Sequence, residues 1–158
     1  MRSDFTDHLK KNVIETAHHC SDRQLLKLQV FANVCKELSR LSYDPKHKVA
    51  TIIFTNDFRD ICAIGYNGNY KGGPNERDSD GVGMSGFLHS EENALLHLGI
   101  PYESREKLSL MCTHKPCRMC MKRIANSGIK NVYYLEEYDS TGSVEDIVKV
   151  SGINLLKL

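Results

Sequence analysis

The sequence predicts an α/β fold built on a mixed five-stranded sheet. Two apolar runs, residues 49–54 and 61–66, flank a polar turn and therefore predict an antiparallel hairpin. In the second half of the chain, strand patterns alternate with helical patterns, which is typical of parallel strand pairing. A chain of 158 residues is long enough to bury a sizeable core, so we expect residues 1–158 to form a single domain.

Helical patterns precede the hairpin. Residues 3–20 carry apolar side chains at helical spacing, so we expect residues 1–20 to contribute an extra N-terminal helix. A second helix is expected over residues 22–41, with Ser21 or Asp22 as its N-cap. Its apolar stripe indicates that one face of this helix packs on the sheet.

The remaining elements follow the hairpin in alternation. We expect strands over residues 108–113, 132–135 and 153–156, and helices over residues 89–98, 117–126 and 145–150. Residues 67–87 form a long loop, and loops of this length are usually functional or mobile. Residues 102–107 are expected to be a polar connection.

Charge and hydropathy narrow the class of partner. The formal net charge of +1 gives no global electrostatic case for a nucleic-acid polymer or an anionic membrane as partner. No apolar run approaches the roughly 20 residues of a membrane span, and the first residues lack the apolar core of a signal peptide. We therefore expect a cytoplasmic protein, in which the cysteines remain reduced.

Two short motifs carry the candidate metal ligands. His89 begins the pattern H-x-E, and Cys117 and Cys120 belong to the pattern P-C-x-x-C. Zinc prefers nitrogen and sulfur ligands in a tetrahedron, and three protein ligands leave one position for water, as in a catalytic site. The two cysteines lie on one face at the start of a helix, whose N-terminus favours thiolates. The motifs therefore predict Zn²⁺ bound by these three side chains.

A carboxylate lies beside the predicted metal site. Glu91 follows His89 by two residues, which places it close to the metal without making it a ligand. Such a carboxylate can take a proton from the attacking water and pass it to a substrate nitrogen. Glu92 points about 100° further around the helix, and we interpret it as a first-turn acid favoured by the helix dipole. Glu91 is therefore the predicted catalytic residue.

Two clusters outside these motifs each permit two interpretations. Residues 18–20 (His-His-Cys) are either a second metal site or the polar end of a helix, and we favour the helix end because no matching ligand cluster is evident. Residues 46–48 (Lys-His-Lys) are either a solvated turn or a phosphate contact, and the turn is favoured.

With these residues placed, the chain resembles the cytidine deaminase-like superfamily, whose signature is H-x-E followed by P-C-x-x-C. Within it, the chain is most similar to deoxycytidylate (dCMP) deaminases. Residues 89–94 resemble their H-A-E-x-N-A, with Ser90 in place of alanine, and residues 65–68 resemble their G-Y-N-G. Tyr138-Asp139 resembles the Tyr-Asp pair near their C-terminal end. The resemblance implies a three-layer α-β-α fold around the sheet.

The resemblance also implies a reaction and its partners. It implies Zn²⁺-dependent hydrolysis of dCMP to dUMP, a thymidylate precursor, with release of ammonia and with Glu91 as proton shuttle. It further implies regulation by dCTP or dTTP and a homo-oligomer, commonly a hexamer. The matching residues give candidate substrate contacts: Asn67 for the sugar, and Asn93 and Ala94 for the base pocket. Tyr138 is a further candidate contact with the substrate. Lys46 in the cationic loop, and Lys115 where the family commonly has serine or glutamate, are candidate phosphate contacts.

Two other functions remain compatible with the motifs. The same metal residues serve deaminases of other cytosine or purine bases and nucleosides, including modified cytosine nucleotides. A non-catalytic zinc module would require a fourth protein ligand to close the tetrahedron. No fourth cysteine or histidine stands at a matching spacing in the sequence, which disfavours the structural module.

Overall fold

The computed structural model describes residues 21–138 and 142–158, so the helix predicted for residues 3–20 lies outside the described residues. The helices are α1 (Asp22–Ser39), α2 (Ser90–Leu96), α3 (Arg118–Ser127) and α4 (Glu145–Ser151). The strands are β1 (Ala50–Thr55), β2 (Ile61–Tyr66), β3 (Leu108–His114), β4 (Asn131–Glu136) and β5 (Asn154–Lys157). No helix in these two ranges is long and apolar enough to cross a membrane.

The strands form one mixed sheet in the order β2-β1-β3-β4-β5. β1 pairs antiparallel with both β2 and β3, whereas β3, β4 and β5 are parallel to one another. The predicted hairpin and the predicted parallel pairing are both confirmed. Parallel neighbours need a crossover, and α3 and α4 supply the crossovers from β3 to β4 and from β4 to β5.

Side-chain alternation along the strands produces two packed layers. Ile53, Leu110 and Val132 belong to the buried cluster that includes residues of α2 and α3. The neighbouring Ile52 and Met111 belong to the cluster that contains the buried face of α1. Successive strand residues point to opposite faces, so α1 covers one face of the sheet and the other helices cover the second face. The predicted three-layer α-β-α fold is confirmed.

Helix ends follow local chemistry, and several bounds differ from the prediction, such as that of α2, which ends at Leu96 rather than residue 98. Ser21 caps α1 in a capping box, in which its Oγ accepts from the Gln24 backbone N–H and the Gln24 side chain accepts from the Ser21 N–H. α1 ends at Ser39 rather than residue 41, because the chain turns there towards β1. The predicted polar connection is a 3₁₀ helix, Tyr102–Lys107, whose entry Pro101 fixes at a φ of −57°.

Candidate metal and active site

Two helix N-termini bring the predicted metal ligands together. His89 is the N-cap of α2, and its imidazole makes no capping bond to that helix. Cys117 is the N-cap of α3, where its Sγ accepts from the Cys120 backbone N–H at 3.5 Å. Pro116 separates β3 from α3, because proline cannot continue a central strand. The ligand side chains therefore emerge where the chain leaves the sheet and enters each helix.

The three side chains have the spacing of a tetrahedral metal site. His89 Nδ1 lies 3.5 Å from Cys117 Sγ and 3.3 Å from Cys120 Sγ, and all three ligand atoms lie within 4.8 Å of one another. With bonds of about 2.0–2.1 Å to nitrogen and 2.3 Å to sulfur, tetrahedral zinc separates such atoms by about 3.6 Å. The donor set and its spacing thus fit zinc, with Nδ1 as the histidine ligand atom.

The electrostatics of the cluster favour one thiolate before any metal binds. Contact with the Cys120 side chain, helped by His89, lowers the pKa of the Cys117 thiol to about 4. The same contact raises the pKa of Cys120, which is buried. The bond to Cys117 raises the pKa of His89. A bound divalent cation deprotonates a coordinating thiol outright, so metal binding would release a proton from Cys120.

A backbone contact fixes the start of α2 against the sheet. A Cβ atom at Gly65 would lie 2.2 Å from the Ser90 carbonyl oxygen and 2.5 Å from the Ala94 backbone nitrogen. No side chain fits there, so glycine is the residue that allows β2 and α2 to approach this closely. Gly65 therefore sets the position of α2, and with it the positions of His89 and Glu91.

Glu91 is buried beside the cluster. Its side chain belongs to a residue that is only 4% exposed, and burial raises the pKa of its carboxyl above the usual range. Glu91 Oε2 accepts from Ser90 Oγ at 3.1 Å. A carboxyl with a raised pKa holds a proton more readily than one in water, which suits a group that exchanges protons in general acid–base catalysis. Glu92 instead pairs with Arg123 at 3.2 Å, away from the cluster.

The metal cluster and Glu91 open into one cavity of about 270 Å³. Its wall combines the loops before β1 and before α2 with the ends of β3 and β4. The described residues that line it are Asp44, His47, Val49, Asn67, Arg77, Gly83, Ser85, Phe87, His89, Ser90, Glu91, His114, Lys115, Cys117, Glu137 and Tyr138. The volume and the mixture of apolar and polar groups are typical of a pocket for a small molecule.

A buried ion pair joins the two loops of this wall. Arg77 Nη1 donates to both carboxylate oxygens of Asp44, at 2.7 and 2.6 Å, and the two side chains are only 8% and 2% exposed. Arg77 Nε donates to the Ser79 carbonyl at 3.1 Å. The backbone N–H groups of Lys46 and His47 also donate to Asp44. The pair therefore positions a guanidinium in the cavity wall, with its Nη2 group outside these contacts.

Three of the predicted substrate contacts line the cavity. Tyr138 does so with its ring edge-on to His114, at 6.3 Å between ring centroids. Lys115 lines it while its Nζ lies 3.7 Å from Glu137. Asn67 lines it too, but its amide also braces the fold: Oδ1 accepts from the Val49 N–H at 2.9 Å, and Nδ2 donates to the His47 carbonyl at 2.7 Å.

Three other predicted contacts lie outside the cavity lining that the described residues form. Asn93 donates through Nδ2 to the Tyr66 carbonyl at 2.9 Å and so ties α2 to β2. Ala94 is fully buried in the core beneath α2. Lys46 pairs with Asp80 at 2.9 Å on the outer side of the loop. Direct contact of these residues with the substrate stays a prediction.

Sequence reasoning did not single out several residues of the cavity wall. Asp44, Arg77 and His114 line the cavity but are not among the site residues that the sequence predicts. The Asp44–Arg77 pair spans 33 positions in the chain, so no local pattern signals it. His114 does carry a local signal, because it lies two residues before Pro116 at the end of β3.

Comparison with known proteins gives a consistent family. The family model for the cytidine and deoxycytidylate deaminase zinc-binding region matches residues 26–136. ComE operon protein 2 of Bacillus subtilis (strain 168) is 32% identical over 102 residues, which cover 60% of this chain and 52% of that protein. Deoxycytidylate deaminase of Saccharomyces cerevisiae is 31% identical over 105 residues, 60% of this chain and 33% of that protein. The chain thus spans about half or less of the length of these relatives.

One solved structure has the same fold, and the similarity extends over the whole length of that protein. It is the dCMP deaminase of the cyanophage S-TIM5 in complex with dCMP and dUMP, with a TM-score of 0.73 and 30% identity. The alignment covers 89% of this chain and 100% of the cyanophage protein. The family-model match includes His89, Glu91 and both cysteines of the metal cluster. The chain therefore belongs to the cytidine and deoxycytidylate deaminase family.

Proposed function

We propose that the protein catalyses the zinc-dependent hydrolytic deamination of dCMP to dUMP, with release of ammonia. The observation that carries the proposal is the buried Glu91 carboxylate beside a cluster of His89, Cys117 and Cys120, all at one small cavity. Within the described ranges, no fourth histidine, cysteine or carboxylate joins the three ligand atoms. Three ligands suit a catalytic site and disfavour the non-catalytic zinc module.

The residues of the chain have separate tasks in this reaction. His89, Cys117 and Cys120 would hold the zinc ion, whose charge would make the attacking water more acidic. Glu91 accepts the proton of the attacking water and donates it to N3 of the cytosine ring. It then takes the proton of the new C4 hydroxyl and passes it to the leaving amine, as the C4–N bond breaks and the C4 carbonyl forms. One water is consumed and one ammonia is released, so Glu91 returns to its starting protonation state.

The cavity wall favours a nucleotide over a neutral nucleoside. Arg77 and Lys115 both line the cavity. The Arg77 contacts with Asp44 and Ser79 engage Nη1 and Nε, which leaves Nη2 to donate to an anion. Arginine suits phosphate recognition because its planar guanidinium stays charged and presents several donors. The cyanophage relative, solved with dCMP and dUMP, supports the same class of substrate.

The first test is ammonia release by the zinc-loaded protein, measured with dCMP and with deoxycytidine in parallel. We expect turnover of dCMP and much slower turnover of deoxycytidine. Equal rates would retain the deaminase and contradict phosphate recognition. No turnover of either compound, with one zinc per chain confirmed by metal analysis, would contradict the proposed reaction.

The Cys117→Ser variant tests whether turnover requires zinc, because it removes one sulfur ligand atom and leaves a side chain of similar size. We expect it to lose both zinc and turnover. The homo-oligomer, its hexameric form and regulation by dCTP or dTTP, which the resemblance implies, stay predictions that sedimentation and nucleotide titration would test.

A further inference from the structure

We propose that Thr51 and Ser90 are positioning residues, whose two hydroxyl groups form a relay that holds the Glu91 carboxylate. The inference rests on the proposed function of Glu91 as proton shuttle. Thr51 is not among the described residues that line the cavity, and Ser90 lines it with its hydroxyl bonded to Thr51 and Glu91. Their role is exerted through Glu91, which gives the proposal a kinetic signature distinct from that of a binding residue.

The relay runs from the sheet to the active site. Thr51 is on β1, and Ser90 is the first residue of α2. Thr51 Oγ1 lies 2.8 Å from Ser90 Oγ, and Ser90 Oγ lies 3.1 Å from Glu91 Oε2. Thr51 and Ser90 are both fully buried, so water does not compete for these bonds.

The acceptor at the end of the chain fixes the direction of the bonds. Ser90 Oγ donates its single hydroxyl proton to Glu91 Oε2. Ser90 Oγ then serves as the acceptor for Thr51, whose hydroxyl must donate. Hydrogen bonds of this kind polarise one another, and a charged acceptor strengthens them. Thr51 on β1 thus donates to Ser90, and Ser90 donates to the Glu91 carboxylate.

This arrangement restrains one half of the carboxylate. The Ser90 bond engages Oε2, and the other oxygen remains for the proton that moves during the reaction. A catalytic carboxylate must stay within a few tenths of an ångström of its working position, because small displacements strongly reduce the rate. The relay ties Glu91 to β1, a strand that has neighbours on both sides.

Two features separate the relay from ordinary core packing. The dCMP deaminase motif that the chain resembles has alanine where this chain has Ser90, so the hydroxyl is not needed to place the metal ligands. Thr51 also has an apolar neighbour on the same face of β1, Ile53, which shows that the face accepts β-branched apolar side chains. Packing alone therefore does not require a hydroxyl at either position.

The test is a double-mutant cycle with Thr51→Val and Ser90→Ala in the zinc-loaded protein, using dCMP as substrate. Loss of a hydrogen bond to a charged group predicts that kcat falls about 10-fold in Ser90→Ala and about 3-fold in Thr51→Val, with KM unchanged within about 2-fold. In the double variant, kcat should equal that of Ser90→Ala, because Thr51 acts only through Ser90. Thr51→Ser, which retains the hydroxyl, should restore the wild-type rate.

Ser109→Ala is the matched control. Ser109 is also buried, lies on β3 of the same sheet, and donates to Asn56 Oδ1 at 2.7 Å, away from the cavity. We expect a lower melting temperature and an unchanged kcat. Metal analysis should find one zinc per chain in every variant, so that any change in kcat reports the carboxylate.

Three outcomes would overturn the proposal. If kcat is unchanged in both single variants while wild type is active, the hydroxyls do not position Glu91, and the proposed function still holds. If the two effects multiply in the double variant, Thr51 does not act through Ser90. If wild-type protein deaminates no nucleotide, the proposed function fails and the positioning role fails with it.

Discussion

The two faces of the central sheet differ in what they bury. The face covered by α1 is apolar throughout its cluster and rich in aromatic rings, with Phe31 and Phe54 at 5.0 Å and edge-to-face. The opposite face is also apolar around Ile53, but it becomes polar beside the cavity, where Thr51 and Glu91 are buried. Polar groups cost free energy when they are buried, so they are expected where they serve a site.

The difference shows how one strand supports two tasks. In β1, Thr51 faces the active-site layer and Ile52 faces α1, although the two residues are adjacent. The aromatic face can supply stability without constraining the site. The polar face buries groups that the reaction needs, and their burial costs stability. Mutations on the two faces should therefore separate stability from activity.

The largest effect is expected on the polar face. Glu91→Gln should lower kcat by roughly 10²–10⁴-fold, because general acid–base catalysis contributes about that much. The amide is nearly isosteric and carries no charge that burial would penalise, so zinc content and melting temperature should remain at wild-type values. Steady-state ammonia release and metal analysis check both parts.

Glu92→Gln is the control for this variant. Glu92 is in the same helical turn, but it pairs with Arg123 instead of facing the cavity. We expect its kcat to stay at the wild-type value. A near-normal rate in Glu91→Gln, or an equal loss in both variants, would remove Glu91 from the role of proton shuttle.

The second largest effect is expected on the aromatic face, where a substitution should lower stability and leave kcat unchanged. Phe54 is fully buried and packs against both Phe31 and Phe58. Phe54→Ala should lower the free energy of unfolding by about 3–5 kcal/mol, the usual cost of such a truncation. The folded fraction should keep its kcat, since Phe54 lies on the face away from the cavity. Urea unfolding and kinetics at low temperature test this.

A milder variant and a surface variant accompany that test. Phe54→Leu should lose less stability and is the fallback where Phe54→Ala fails to fold. Val150→Ala, at a position 89% exposed, should change stability by no more than about 0.5 kcal/mol. A loss of kcat in folded Phe54→Leu would break the separation between the two faces.

The smallest effect concerns the buried ion pair in the cavity wall. Burial acts to raise the pKa of Asp44, but the Lys46 backbone N–H and the Arg77 guanidinium outweigh it and hold the pKa below its usual range. A depressed folded pKa contributes stability above the unfolded value of about 4, and this contribution is lost as the pH falls through the folded value. Wild-type protein should therefore lose more stability than Asp44→Asn between pH 6 and pH 3.

Urea unfolding of metal-free protein measures this difference without a contribution from metal release. Both proteins share all other acidic groups, so the comparison isolates Asp44. An identical dependence on pH in the two proteins would show that the carboxylate contributes no pH-dependent stability, and the ion pair would then matter only for the shape of the cavity.

Much of this architecture is readable in the sequence because it depends on local patterns. The strand alternation and the hairpin predicted the mixed sheet, and the spacing of His89, Cys117 and Cys120 predicted the cluster that the structure brings together. Helix caps were also readable, as Ser21 shows. Each of these features depends on residues a few positions apart, or on a ligand preference of the metal.

The remaining features depend on contacts between distant segments. The Asp44–Arg77 pair joins two loops, and the bond between Thr51 and Ser90 spans 39 positions. Asn93 was expected at the base pocket, whereas the structure uses its amide to tie α2 to β2. Polar side chains have many possible partners in a folded protein, and the sequence does not reveal which one the topology brings within reach.

The contact between Gly65 and α2 has a consequence for the tolerance of the site to change. Side chains in a core can adjust their rotamers when a neighbour changes size, but two backbones in contact have no such freedom. The orientation of α2 therefore follows that of β2 at this contact. Any side chain at residue 65 would push the two backbones apart and displace His89 and Glu91 together.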